Sequence, residues 1–411
     1  MKNVRLTVVI VNYNVKSYLY QCLHSVERAF SRLSMEVIVV DNASTDNSVA
    51  ELSVAFPWVT FLPNTENLGF AKANNQAIRL AKGDYVLLLN PDTIVGEEVF
   101  DECVAFMDNH ADAGALGVKM LRADGGFAWE SRRGVPTPFT AFCKMTGLCS
   151  LFPRSRVFGR YYMRYLDDNE VARIDIVSGA FMMLRRSALD EIGLLDETFF
   201  MYGEDIDLSY RLLKAGYSNY YLPRLIVHYK GESTRKTSFR YVRTFYNAML
   251  IFYNKHFADR NRILTWMVRL AVLFFGSFEF IFQQRRRLDI HTDERYRLLV
   301  VGTSQACWGV EAICKQEGIA CTSLMIETEE EQASSLPLGK ITQCKENAEK
   351  PFTHIVFDAN NIAYSDVLTY MQREFQRRDT PRMELGFFSV DSGRLLFASD
   401  CFVLKKDTSS C

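Results

Sequence analysis

Several things this sequence does not have narrow its class. It has no surplus charge: Lys and Arg total 48 against 49 Asp and Glu, and a net charge of -1 gives no whole-molecule reason to expect nucleic acid as a partner. Any basic region must be local. It has no leader signature: Met1-Lys2-Asn3 runs into the apolar stretch Leu6–Val11, which ends at polar Asn12 with no small-residue cleavage site behind it, so no signal peptide is expected. Its ten cysteines are scattered with no CxxC spacing, which points to reduced, mostly buried thiols in a cytoplasmic protein. Cys307, Cys314 and Cys321 recur at equal spacing. They read as core positions rather than ligands, with Cys321 past Gly318 in a following strand, because free cysteine packs as a small hydrophobe.

What is present fits a well-buried globular protein of two or three domains: 411 residues, 48% hydrophobic and 24% charged. From Leu6 to about Asp92, apolar runs of strand length alternate with helical stretches, the signature of βαβ units and a mainly parallel sheet. The runs Leu6–Val11, Val37–Val40, Val59–Leu62 and Tyr85–Leu89 each end in polar or turn-forming residues. Ligands of open parallel sheets bind outside the carboxyl ends of the strands, so those ends should share one crevice. Ser44-Thr45-Asp46 supplies capping residues for a helix ending near Phe56-Pro57, and Gly69 opens another that closes at Gly83. Ile174–Leu184 reads as one strand, the stretch after Gly203 as a helix stopped by Gly216, and Tyr220-Tyr221-Leu222-Pro223 leads to the run Ile226-Val227-His228. Residues 121–172 lack periodicity and read as a mobile, partly basic excursion.

The segment Ile263–Phe282 has the length of a membrane span but contains Arg269 and Glu279, and Arg285-Arg286-Arg287 follows. Buried charges in a span are expensive, so an amphipathic helix in the membrane interface fits better than a spanning one. Arg297–Gly302 then reads as a helix opening a small α/β domain that also contains Ile355-Val356-Phe357-Asp358. Gly302 lacks the other glycines of a dinucleotide fingerprint.

The chemistry-bearing residues cluster at the expected strand ends. Asp41 ends the second strand, and its carboxylate can accept the imide N–H of uracil or thymine; capping a helix is the plainer role for such an Asp. Asn90-Pro91-Asp92 ends the fourth, where Pro91 stops the strand and a carboxylate can hold Mg²⁺ or Mn²⁺ against phosphates. His228 follows an apolar run, where a packed core histidine is the plainer reading. Glu204, Asp205 and Asp207 open a helix, where acids favoured by the helix dipole are the plainer reading.

Taken together, Thr7–Asn14, Val40–Asp46, Glu66-Asn67-Leu68-Gly69-Phe70-Ala71, Leu89–Asp92, Ser178-Gly179-Ala180-Phe181, Gly203–Leu208 and the downstream His228 resemble family 2 glycosyltransferases, in the order and spacing of the rhamnosyltransferase-like branch. The resemblance covers about residues 5 to 257 and implies a GT-A fold, a nucleotide-sugar donor and a divalent cation, Mn²⁺ or Mg²⁺. It places Asp41 on the base with Asn12 and Tyr13 nearby, Asn67 and Gly69 in the donor loop, and Asp92 and His228 on the metal. Asn90 stands in the first position of the usual DxD, a departure that puts its own role as a ligand in doubt. In an inverting transfer one carboxylate takes the acceptor proton as the hydroxyl attacks C1. Glu204 or Asp205 should be that base; analogy favours Glu204, with Asp205 on acceptor hydroxyls and Gly179 allowing close approach of the acceptor.

The expected organisation is α/β: a GT-A type domain over 1–257, an amphipathic, membrane-interfacial helical linker over 258–290, and a small α/β domain over 291–411. The expected activity is transfer of a sugar, rhamnose favoured, from a dTDP or UDP donor to a hydroxyl of a glycan or polyprenyl-diphosphate-linked acceptor in cell-surface polysaccharide synthesis. The place for such work is the cytoplasmic, inner face of the plasma membrane, with peripheral membrane contact. The competing class is a catalytically weak scaffold that binds sugar nucleotide, from which metal-dependent hydrolysis of nucleotide sugars would distinguish an enzyme. A nucleotidyltransferase would need a basic phosphate-binding signature early in the chain, and none is seen.

Overall fold

A computed structural model of the chain describes residues 4–30, 33–229, 239–258, 296–325, 336–377, 381–398 and 400–404. The expected interfacial helix, Ile263–Arg287, lies outside these residues.

The first half of the fold forms where the apolar runs predict it. Strands β1 (Leu6–Asn12), β2 (Met35–Asp41), β3 (Thr60–Pro63) and β4 (Tyr85–Leu89) alternate with helices α1 (Lys16–Arg28), α2 (Ser48–Ala55) and α3 (Phe70–Leu80). The four strands are parallel, in the order β3-β2-β1-β4. The central runs are continuous rather than alternating because both faces of the sheet are covered. Leu6, Val8 and Ile10 of β1 and Leu87 and Leu89 of β4 enter one core, whereas Val9, Val86 and Leu88 enter the other. On α1 the buried Leu19, Cys22, Leu23 and Val26 recur at three or four residues and form the stripe that lies on the sheet.

Next come β5 (Thr93–Val95), α4 (Val99–Asn109), β6 (Ala113–Leu121), α5 (Pro138–Met145), α6 (Leu148–Leu151), β7 (Ala172–Ile174), β8 (Phe181–Arg185), α7 (Arg186–Ile192), α8 (Glu204–Lys214), β9 (Ser218–His228) and α9 (Phe239–His256). They extend the sheet to nine strands by the path β4-β8-β6-β9-β5, with β7 beside β9. Strand β8 runs antiparallel to both β4 and β6. Three sequence expectations change here. Ile174–Leu184 is not one strand: β7 and β8 pair with different partners, and between them the Asp175 carboxylate accepts the Val135 N–H at 3.0 Å while the Ala180 carbonyl accepts that of Asn90 at 3.0 Å. Residues 121–172 are not a featureless excursion but carry α5, started by Thr137 as N-cap and Pro138 behind it, and α6. Tyr220–Pro223 and Ile226–His228 are one strand, because the ladder to β6 slips after Val118 and so accommodates Pro223, which has no N–H to donate.

The C-terminal sheet has six strands, β10 (Arg297–Gly302), β11 (Ala320–Met325), β12 (His354–Asp358), β13 (Glu384–Ser389), β14 (Arg394–Leu396) and β15 (Cys401–Val403), in the order β11-β10-β12-β13-β14-β15. Arg297–Gly302, expected as a helix, is therefore an inner strand of this sheet, between β11 and β12. Leu299 and Val301 face one core and Leu298 and Val300 another, and only a strand's two-residue period divides them so. Cys307 and Cys314 are buried on the helix Ser304–Glu317 and Cys321 lies half-buried in β11, the packing roles expected of them.

The two sheets share a core. Val15, Tyr18, Ile94, Val227 and Tyr229 pack with Phe357, Tyr364, Val367 and Phe387. Polar contacts frame it: the Glu97 carboxylate accepts the N–H groups of Tyr364 and Ser365 at 2.8 and 2.9 Å, capping the helix Tyr364–Gln376. Arg28 donates to the carbonyls of Ala359 and Ile362, both at 2.8 Å, and the buried Tyr364 hydroxyl meets Gln21 and His24. Among the described residues no helix is long and apolar enough to cross a membrane.

Candidate active site

The carboxyl ends of β1 and β2 lie side by side, with Asn12 opposite Asp41 in the ladder. Asn12 Nδ2 donates to Asp41 Oδ1 at 2.7 Å and the Ser44 N–H donates to Asp41 Oδ2 at 2.8 Å, so each carboxylate oxygen is held yet keeps a lone pair for a further donor. Tyr13 stands at the rim, 39% exposed. The segment carrying Asn67 and Gly69 is tied to the same place. Asn42 Nδ2 donates to the Gly69 carbonyl at 3.1 Å and Asn67 Oδ1 accepts the Gly69 N–H at 3.0 Å. Gly69 has φ of +84°, and a Cβ there would come within 2.5 Å of the Phe200 carbonyl oxygen, so no other residue fits. Phe70 N–H donates to that carbonyl at 2.7 Å, which fastens this loop to the one leading into α8.

A second group forms where β4 ends. Asp92 is 3% exposed, and its Oδ1 lies 3.3 Å from Nε2 of His228, the last residue of β9. The Asn90 side-chain amide lies 3.2 Å from the same Nε2. Rotating that amide, whose nitrogen and oxygen are interchangeable in assignment, would bring three electron-pair donors together at one point. Among the described residues no group of three or more His, Cys, Asp or Glu gathers as a metal site. Asp92 and His228, with or without Asn90, make a partial shell of the kind Mg²⁺ or Mn²⁺ completes with phosphate oxygens and water. In chemistry the donor set fits a cation.

The third group opens α8. Asp205 pairs with the half-buried Arg133 and accepts the Gly179 N–H at 3.1 Å and its own neighbour's, Ile206, at 2.8 Å. Those bonds occupy the carboxylate expected to contact acceptor hydroxyls. Glu204 differs: it is 6% exposed, and its Oε2 has no hydrogen-bond partner among the described residues. Burial first, and the adjacent Asp205 charge second, push its carboxyl up to about 8. A Cβ on Gly179 would lie 3.4 Å from Asp205 Cβ and 3.8 Å from the Phe70 ring, so the glycine brings its backbone against Asp205 and the start of α3.

Arg133 escaped the sequence reading. Its partner is 72 residues away, and it sits in no local motif. Asp207, grouped with the other two acids in the sequence, turns away from them. It is fully buried and accepts from Arg211 at 2.8 Å, Lys255 at 2.9 Å and His256 at 2.7 Å, joining α8 to α9.

With this arrangement in view, the comparisons with known proteins are specific. The sequence model of Glycosyl transferase family 2 matches residues 7–193. An N-acetylglucosaminyl-diphospho-decaprenol L-rhamnosyltransferase of Mycobacterium tuberculosis is 30% identical over 277 residues, which span 64% of this chain and 89% of that protein. The low-salt glycan biosynthesis hexosyltransferase Agl10 of Haloferax volcanii is 26% identical over 212 residues, 50% of this chain and 61% of its own. Among solved structures, the mannosyltransferase PcManGT of Pyrobaculum calidifontis, in complex with GDP-Man and Mn²⁺, superposes with a TM-score of 0.43 at 18% identity, covering 68% of this chain and 73% of that one. This chain belongs to glycosyltransferase family 2, and its first sheet is the family's GT-A type. Glu204, Asp205 and His228 lie beyond the residues the family model matches.

Proposed function

We propose that this glycosyltransferase transfers a sugar with inversion from a nucleoside diphosphate donor to a hydroxyl of a lipid-linked glycan, with Glu204 as the general base. The observation that carries the reading is the contrast within one dipeptide. Asp205 is ion-paired with Arg133, while Glu204 is buried, has no hydrogen-bond partner for Oε2 among the described residues, and is shifted toward the range where a carboxylate can take a proton at physiological pH. Asp41 and Asn12 would hold the base through its imide edge, and Tyr13 would cover it. Asp92 and His228, with Asn90 beside them, would hold a divalent cation. That cation would neutralise charge on the leaving diphosphate. Arg133 and Gly179 fix Asp205, and Asp205 in turn raises the proton affinity of Glu204. Similarity to the mycobacterial L-rhamnosyltransferase supports L-rhamnose as the sugar and a polyprenyl-diphosphate-linked acceptor; a dTDP donor and a place in cell-envelope polysaccharide synthesis at the inner membrane face complete the proposal.

The test is a donor screen, dTDP-rhamnose against UDP and GDP sugars, on polyprenyl-diphosphate-linked acceptors, with the anomeric configuration of the product read by NMR. Inverted rhamnosyl product, lost in excess chelator and lost in Asp92→Ala, is expected. Retention of configuration would remove the single-base reading of Glu204. Full activity of Asp92→Ala, or of the parent enzyme in chelator, would remove the cation from the mechanism.

A further inference from the structure

From Ser131 to Leu166 the chain contains seven Lys or Arg and no Asp or Glu. The same stretch leaves unusually large apolar groups in water. Phe139, Phe142, Leu151, Phe152 and Val157 are 51%, 53%, 69%, 48% and 58% exposed. They do not belong to an unfolded loop, because the inner side of the segment is packed: Cys143, Cys149 and Tyr161 are buried, and Lys144 donates to the Tyr161 hydroxyl at 2.8 Å. The outward apolar groups form one face. Phe139 and Phe142 are a helical turn apart on α5. The Phe158 ring joins them to the end of α6, 6.4 Å from that of Phe139 and 5.6 Å from that of Phe152. Arg154 and Arg156, both exposed, follow at once and pair with no acid among the described residues.

We infer that this face seats on an anionic phospholipid surface, its aromatic and leucine side chains at the headgroup–acyl boundary and the Arg154 and Arg156 guanidiniums on lipid phosphates. A contiguous apolar face of this kind marks an interaction site rather than ordinary surface. Charge selects the partner: of the seven positive groups, Arg154 and Arg156 are exposed and unpaired with acids among the described residues, and apolar tips flanked by such arginines match a layer that is greasy beneath and negative above. Position gives the contact a use. The segment starts at Arg133, which pairs with Asp205 beside Glu204, and Val135 and Gly134 anchor it to Asp175 and Tyr161. A bilayer under Phe139 and Phe152 would hold a lipid-linked acceptor against the segment whose first residues fix Asp205. That last step rests on the lipid-linked acceptor proposed above; the docking does not.

The experiment is flotation of the full chain with phosphatidylcholine vesicles, with and without phosphatidylglycerol, for wild type, Phe142→Ser/Phe152→Ser and Arg154→Gln/Arg156→Gln. Thermal melting checks that all three fold. Wild type should float with the anionic vesicles, less at high salt, and both double variants should bind more weakly, the arginine pair by about 25-fold, since each basic group near such a surface is worth about fivefold. On a short water-soluble acceptor the variants should turn over like wild type, and on a lipid-linked acceptor in vesicles they should be slower. Equal flotation of all three proteins overturns the inference and leaves any lipid contact to residues 263–287. So does a change of oligomeric state in light scattering without a change in flotation, which makes the face a contact between copies. If no donor yields product while the flotation difference stands, the transfer reading fails and the docking survives.

Discussion

A carboxyl group that loses more in water than it gains in partners holds on to its proton, and Glu204, whose Oε2 has no hydrogen-bond partner among the described residues, is in that position. Its value of about 8 against an ordinary 4.5 gives turnover an ascending limb near pH 8, because the base works only when ionised. Glu204→Gln should keep donor affinity and lose that limb, together with about 10² to 10⁴ of the turnover. A pH–rate profile with a limb below pH 6 in the wild type would remove the assignment. Stability should move the other way. A raised folded-state value means that the contribution of Glu204 is fully present below about 4.5 and is lost as pH rises through about 8. The melting temperature of Glu204→Gln should therefore gain on wild type across that window and then hold its lead. Residues such as Asp41, Asp92 and Glu204 could be singled out in the sequence because they sit at strand ends and at a helix start, where local pattern marks them. Arg133 could not, since what makes it matter is a partner brought near only by the completed sheet.

Local pattern also explains which elements could be read in advance. Strands β1, β2 and β4 are runs buried on both faces and bounded by turn residues, so their identity does not depend on their neighbours. Arg297–Gly302 is just as apolar but too short for periodicity to separate strand from helix, and its pairing with β11 and β12 decides the matter. Ile174–Leu184 reads as one strand because nothing in its composition announces that β7 and β8 serve different partners. At the start of α8, three acids that look alike divide into a buried acid, an ion-paired acid and, at Asp207, a structural tie to α9. The loop before α3 offers a direct test. Gly69→Ala has to place a methyl 2.5 Å from the Phe200 carbonyl at a φ of +84°, a strain of about 1–3 kcal/mol before the clash is counted. The expected result is a lower melting temperature and weaker donor binding together, because the same loop joins the β2 end to the segment entering α8. Calorimetry with the nucleotide alone checks it, and an unchanged affinity would separate the loop from the donor site.

At the scale of the whole molecule, the second sheet is built into the first rather than tethered to it. Tyr364 shows how closely: its ring lies in the common core and its hydroxyl serves Gln21 and His24 of α1. Tyr364→Phe leaves both of those groups without that partner at a buried site, a cost of about 1–3 kcal/mol. It should appear as a lower melting temperature. An unchanged melting temperature would mean the hydroxyl contributes nothing to the joint.

The carboxyl end of β12 is where open sheets of this strand order usually receive a ligand, and here Arg28 of α1 is bonded to the loop that follows it. A place that other proteins keep free for a small molecule has become a mortise for the neighbouring domain. Anyone shortening this enzyme for crystallography or for transplant into another pathway would look at the seam near residue 258 and cut there. The cut would strip the backing from Tyr18, Ile94, Val227 and Tyr229, which include both chain neighbours of His228 and the partner of Val227 in the ladder. The smallest portable version of this catalyst is one that keeps both sheets.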